Sequence, residues 1–222
     1  MTIEEAIKAR HAVRSYTDRP IEKEKIDELT QLMNNINTKS GLHIQLVLND
    51  PKAFDSRLAH YGKFSGISNY FAMIGKKSDK LDETIGYWGE HLVLRAQMLG
   101  LNTCWVGLTF KKNPDVLQID EGEKVRCVIP AGYGTTQGVA HKVKPVEKVA
   151  SSNGEMPEWF LKGVEAALLA PTAVNQQKFK FTLVGDKYVQ ARASLGFFSK
   201  VDLGIVKYHF EIGAGKANFE WV

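Results

Sequence analysis

Three short segments of the 222-residue chain hold residue types and spacings that could do chemistry. The first, Arg10-His11-Ala12-Val13-Arg14, sets two guanidinium groups and an imidazole at the exit of a helix, where partial negative charge on the last carbonyls favours cations. Small residues between the arginines suggest a surface on which a ligand lies close to the backbone. The second segment, residues 169–177 (LAPTAVNQQ), follows a helix-stopping proline with hydroxyl and amide side chains, a loop dense in hydrogen-bonding groups. The third is Lys142-Val143-Lys144, whose period of two throws both ammonium groups to one side. Taken singly, each has a plain reading: a solvated helix end, a helix-to-strand turn, a basic stretch of surface.

Other chemistries lack support. The six histidines never stand at metal-ligand intervals, no Gly-x-Ser-x-Gly elbow occurs, and no Ser-His-Asp set can be argued from spacing. Gly213-Ala214-Gly215-Lys216 follows a helix rather than a strand and has no hydroxyl beside its lysine, so it reads as a helix stop. Cys104 and Cys127, in segments that read as buried, are expected to be reduced structural thiols. The composition, 44% hydrophobic and 24% charged, excludes disorder and low complexity. A net charge of +4 with interspersed signs disfavours nucleic acid and membrane surfaces, while a small anionic ligand needs only a few local cations. An acidic, polar N-terminus and the lack of a run of about 18 apolar residues lead to an expected cytoplasmic location.

The elements that must position these segments follow from periodicity. A helix is expected over residues 2–10, with Thr2 and Glu5 as a capping box, and a second from about 22 to 34 or 35. Strands are expected at 42–48, 70–74, 103–108, 125–129 and 178–184, and helices at 54–61, 84–99, 159–170 and 201–213. Residues 151–154 (SSNG) read as a linker. The four tryptophans, and Phe197 with Phe198, are expected to pack in cores. Sliding the chain by 136 positions sets Val47-Leu48-Asn49-Asp50 against Leu183-Val184-Gly185-Asp186, with a helix before each strand, which suggests a partial internal duplication.

Together the segments resemble the FMN-dependent nitroreductase-like oxidoreductases. That family's opening Arg-Arg/His-Ser-x-Arg/Lys is matched by residues 10–14, with Ala12 in place of serine, and its Ala-Pro-Ser-x-x-Asn-x-Gln loop by residues 170–177. Residues 86–90 and 99–107 resemble its long central helix and following strand, and Lys142 and Lys144 its late basic pair. The resemblance implies an α+β fold, three-layer α/β/α with a mainly antiparallel central sheet. The first half departs from the pattern: residues 35–39 (NINTK) lack the proline and the key asparagine of the motif, which stand instead at Pro171 and Asn175, while residues 151–162 lack any arginine pair. Hence a single-chain pseudo-dimer is expected, with residues 1–150 as a nearly complete unit and 151–222 as a partial second copy completing one FMN pocket. Such a chain would be a monomer, with further homodimerisation open.

By the same resemblance, Arg10, Lys142 and Lys144 would neutralise the FMN phosphate and His11, next to Ala12, would touch phosphate or ribityl oxygens. Arg14 would stabilise charge at the flavin N1 and O2 edge. Thr172 and Asn175, with Pro171 and Ala173, would line the other side, and backbone near Val106 and Gly107 would donate toward N5. No side chain is expected to act as nucleophile or metal ligand. The implied activity is hydride transfer from NAD(P)H to a nitroaromatic, quinone or similar flat acceptor by a ping-pong scheme. Alternatives are an FMN-binding or storage protein without turnover, and a dehalogenase-like or flavin-modifying relative.

Overall fold

The computed structural model describes residues 1–55 and 62–222. The expected helix over 54–61 lies mostly outside them. Ahead of that stretch stands one 3₁₀ turn, Pro51–Phe54, with proline in its first turn. The described chain folds as two compact units that are discontinuous in sequence: an inner unit of 9–81 and 92–140, and a terminal unit of 1–8, 82–91 and 141–222. The strands form two four-stranded sheets, where the resemblance implied one central sheet. Pairing is mainly antiparallel, as expected.

In the inner unit the order is β1 (Gln45–Val47), β2 (Tyr70–Lys76), β4 (Glu123–Gly132), β3 (Asn102–Thr103), all antiparallel. β2 is buried from Tyr70 through Gly75, which its unbroken apolar run requires of a strand covered on both faces. Helix α2 (Lys23–Ser40) buries Leu29, Met33 and Ile36. It outruns its expected end because Ile36 continues the buried stripe; the chain stops only at Gly41, left-handed at φ 70°, whose N–H bonds Asn37 O. β1 is shorter than the expected 42–48. The Asn37 side chain takes both backbone groups of Ile44, accepting from its N–H at 2.8 Å and donating to its carbonyl at 2.9 Å, so the ladder starts one residue later. Of the expected strand 103–108, Thr103 pairs with β4 together with Asn102 before it, and Val106 forms a separate bridge to Val128.

The terminal unit begins with α1 (Ile3–Ala9), whose residues through Lys8 belong to it. The capping box is present: Thr2 N–H donates to Glu5 Oε2 at 2.8 Å and Glu5 N–H to Thr2 Oγ1 at 3.2 Å. After the short helix α4 (Val146–Val149) the sheet order is β5 (Ala150–Ser152), β6 (Phe179–Val184), β7 (Tyr188–Ala193), β8 (Glu220–Trp221). The expected linker is therefore in part a strand. Ser151 and Ser152 pair in parallel with Thr182 and Leu183, and hydroxyls of Ser151 and Thr182 meet at 3.2 Å. Composition cannot show a parallel partner thirty residues away. β7 follows β6 through a tight turn at Gly185, left-handed at φ 62°.

Helix α6 (Ser199–Ala214) is buried on nearly every side, packing on α5 (Glu158–Leu168) and on residues 82–91 of α3 (Leu81–Met98). A Cβ on Gly204 would lie 2.0 Å from Glu83 O, so the helices cross at backbone contact. Between α6 and the sheet, Phe160, Phe181, Phe210, Phe219 and Trp221 form one aromatic cluster, with Phe181 and Phe210 stacked at 4.6 Å. His209 and Glu90, both fully buried, meet at 2.9 Å, and the other imidazole nitrogen lies 3.0 Å from Ala166 O. All four tryptophans are half-buried rather than fully enclosed, and Phe197 is 53% exposed, contrary to the expected satellite core. Phe197 is the edge partner of Phe198 at 4.5 Å, on a turn that leaves its ring in solvent. Gly215, left-handed at φ 76°, ends α6 as the sequence indicated.

Candidate functional site

The candidate residues divide between the units. In the inner unit lie residues 10–14, Val106 and Gly107; in the terminal unit lie Lys142, Lys144 and the loop 171–177.

Residues 10–16 run as an extended strip clasped on two sides. Val13 N–H donates to Thr103 O at 3.1 Å, and Ala12 bridges Thr103 in parallel. Ser65 N–H donates to Arg14 O and Tyr16 N–H to Ser65 O, both at 3.0 Å, while Thr135 N–H reaches Ser15 O at 2.9 Å. The contact with the neighbouring turn is very close: a Cβ on Gly66, whose φ is +68°, would lie 2.1 Å from Tyr16 O. Asn102 fastens the loop after β4 by accepting from Gly134 N–H at 2.9 Å and donating to Gln137 Oε1 at 3.0 Å.

The two arginines are placed differently. Arg10 is only 3% exposed, not the solvated helix end of the plain reading, whereas Arg14 is exposed. Both act on the buried Cys104: burial pushes its thiol up, while the positive charges of Arg14 and Arg10 oppose that. Tyr16 is held well above the usual phenol range by burial and by Cys104, against Arg14. His11 is half-buried and Ala12 exposed. Val106 exchanges both backbone hydrogen bonds with Val128 at 2.9 Å, so Gly107 is the member of that pair whose N–H is not committed to β4.

In the terminal unit the basic pair and the amide loop form one hydrogen-bonded assembly. Lys144 N–H donates to Gln177 Oε1 at 2.8 Å, and its ammonium donates to Gln176 O at 2.8 Å and Gln177 O at 3.0 Å. Asn175 Nδ2 and Gln177 Nε2 both donate to Lys142 O, at 2.9 and 2.8 Å, and Gln177 Nε2 also reaches Asn175 Oδ1 at 2.7 Å. Thr172 Oγ1 accepts from Gln177 N–H at 3.1 Å. Lys144 and Asn175 thus spend donors on shaping the loop, and the exposed Lys142 keeps its ammonium at the surface. Pro171, Thr172 and Ala173 are half-buried.

Sequence reasoning missed Asp202. This carboxylate is 3% exposed and takes Ala173 N–H at 3.0 Å and Gln176 Nε2 at 2.7 Å. Burial pushes its carboxyl up to about 6, against those two hydrogen bonds. An acid in the first turn of a helix is ordinarily explained by the macrodipole, so no local signal marks it. Spacing also could not show that His43, Asp120 and Glu123 converge, each with a ligand-type atom within 4.8 Å of the others. Hydrogen bonds account for that trio: His43 Nδ1 lies 2.8 Å from Glu123 Oε2, which also accepts from Asp120 N–H at 3.0 Å. Among the described residues, no helix is long and apolar enough to cross a membrane.

A family model described as "Putative TM nitroreductase" matches residues 2–214. Among solved structures, one from Thermotoga maritima MSB8, described as a putative nitroreductase, is 25% identical, with a TM-score of 0.71 over 98% of this chain and 85% of its own. An FMN-dependent nitroreductase from Clostridium difficile R20291 is 20% identical, with a TM-score of 0.50 over 62% of this chain and 90% of its own. A Desulfovibrio desulfuricans protein described as a putative nitroreductase in complex with FMN is 16% identical, with a TM-score of 0.52 over 67% and 94%. These last two show likeness of fold. A search of the curated proteins returns no match.

Proposed function

The chain belongs to the nitroreductase family whose model spans it, and from that premise we propose that it is an FMN-dependent oxidoreductase taking hydride from NAD(P)H and passing it to a flat acceptor such as a nitroaromatic or quinone. The observation that carries this reading is the match over residues 2–214, which takes in both the arginine segment and the amide loop. When bound, FMN would supply the hydride chemistry itself.

The residues present fit such a group. Its phosphate, with a charge of about −1.5 to −2 near neutral pH, calls for local cations. The inner unit offers Arg10 and Arg14 on a strip fixed by backbone bonds to Thr103 and Ser65. Arg10, enclosed by protein, is proposed to offset phosphate charge with His11 beside it, in a setting where a guanidinium is weakly screened. Arg14, exposed two residues beyond Ala12, is proposed to face the pyrimidine edge and favour the negative charge that reduction places there. Gly107 N–H is proposed as the backbone donor toward N5, since Val106 N–H is already bonded to Val128. In the terminal unit Lys142 is proposed as a phosphate-neutralising cation. Lys144 organises the loop, and Thr172 and Asn175, flanked by Pro171 and Ala173, present hydroxyl and amide groups to the flavin.

The test is spectroscopic. Purified protein, loaded with FMN where needed, should show a bound-flavin visible band that bleaches on anaerobic mixing with NADH or NADPH. The band should return on adding a quinone or nitroaromatic. A protein that binds FMN yet is never reduced by either nucleotide would be a flavin carrier; one that fails to bind added FMN would overturn the proposal.

A further inference from the structure

The loop that follows α5 has a backbone its own residues do not favour. Val174 (φ 48°), Asn175 (φ 54°) and Gln177 (φ 45°) all lie in the left-handed region, and none is glycine. Asparagine tolerates that region, but β-branched valine is there a true outlier, and its side chain, 91% exposed, gains no burial in return. Conformations of this kind persist only where the surroundings over-determine them.

What over-determines this one comes mainly from α6. Asp202 divides its two carboxylate oxygens between the loop's start and its middle, Oδ1 accepting from Ala173 N–H at 3.0 Å and Oδ2 from Gln176 Nε2 at 2.7 Å. The same amide nitrogen of Gln176 also donates to Phe197 O at 2.7 Å, just before Phe198, itself left-handed at φ 57°. The left-handed residues thus sit within and immediately beyond the two points at which one buried carboxylate grips the chain. Ionisable groups on the neighbouring elements are engaged elsewhere: Glu83 with Lys207, Glu90 with His209, Lys144 with the carbonyls of Gln176 and Gln177, and Lys178 with Leu195 O. A carboxylate in a helix's first turn would be served equally well by solvent exposure. Burying it is costly unless its hydrogen bonds do something the fold needs.

We propose that Asp202 is a positioning residue, gripping the loop at Ala173 and Gln176 so that its left-handed backbone presents Thr172 and Asn175 to the flavin; the presentation rests on the FMN reading above, the grip does not. In Asp202→Asn the side chain keeps its shape and one acceptor, but an NH₂ group replaces the oxygen facing Gln176 Nε2, setting donor against donor. Gln176→Ala removes the same contact from the loop side.

Hydrogen exchange on the flavin-free protein tests the grip. Amides of residues 173–177 should exchange about tenfold faster in either variant, as loss of one charge-assisted bond implies, and no faster still in the double variant. The melting temperature, which a merely structural residue would lower, should stay level or rise in Asp202→Asn. FMN affinity, by fluorescence titration, should fall by roughly five- to twentyfold in both. Unchanged exchange in both variants would overturn the grip, whatever the flavin result. Faster exchange with unchanged FMN affinity would overturn the presentation of the loop to the cofactor. If the wild-type protein binds no FMN, the FMN reading and the presentation fall, while exchange still decides the grip.

Discussion

Arg10 and Arg14 stand four positions apart, yet one is enclosed by protein and the other is in solvent, so their removal should read out differently. Arg14→Ala should leave folding nearly intact and slow reduction of bound flavin by NAD(P)H about tenfold or more, with a smaller change in FMN affinity, in stopped-flow and titration experiments. Arg10→Ala should mainly weaken FMN binding and also lower the melting temperature, because a buried group leaves a cavity as well as a lost charge. Equal effects on reduction and binding in the two variants would contradict that division. Asp202 supplies a pH prediction. Its carboxyl, pushed from the ordinary 3.8 to about 6 by burial, makes the folded state hold a proton that the unfolded state releases. Its contribution to stability is therefore fully present below about pH 4 and lost as pH rises through 6, by about 3 kcal/mol at most. Urea unfolding at pH 4.5 and 7.5 should show wild type losing stability relative to Asp202→Asn over that interval. A constant difference between the two proteins would show that Asp202 does not titrate there.

Among the elements, two glycines mark where backbones touch. Gly66→Ala would drive a Cβ to 2.1 Å from Tyr16 O at a backbone conformation that already disfavours a side chain, so the turn against residues 14–16 must move. The expected result is a destabilisation of about 2 kcal/mol or more with weakened FMN binding, measured by thermal melts and titration. Gly204→Ala would press on Glu83 O at the crossing of α6 with α3, and should lower stability by a similar amount. Its effect should reach the loop 172–177 only through α6. Elements with strong local signals were legible: the Thr2 and Glu5 box, the buried stripe of α2 and the glycine stop after α6 all follow from short-range geometry. β5 was illegible because its identity as a strand lies in β6, its partner. β1 fell short because an asparagine on α2 had claimed its first backbone groups.

For the molecule as a whole, the absence of the Pro-x-x-x-Asn motif from residues 35–39 (NINTK) and of an arginine pair from 151–162 supports the proposal that each chain holds one FMN. Titration monitored by flavin fluorescence should saturate at one FMN per 24.8 kDa chain. Two per chain, or one per two chains, would refute the proposal that residues 151–222 are a partial second copy with no second site.

The sequence by itself determined the family, the helix boundaries set by local caps and stripes, and the three segments proposed to hold a flavin, because each motif is read within a few residues. Only the tertiary structure decided that Arg10 is enclosed while Arg14 is not, that Lys144 and Asn175 are engaged with each other's segments, and that Asp202 grips the amide loop. The physical reason is that a hydrogen bond between groups some thirty residues apart, and the burial that moves a carboxyl's titration, depend on the path of the whole chain, which leaves no periodic trace in either partner.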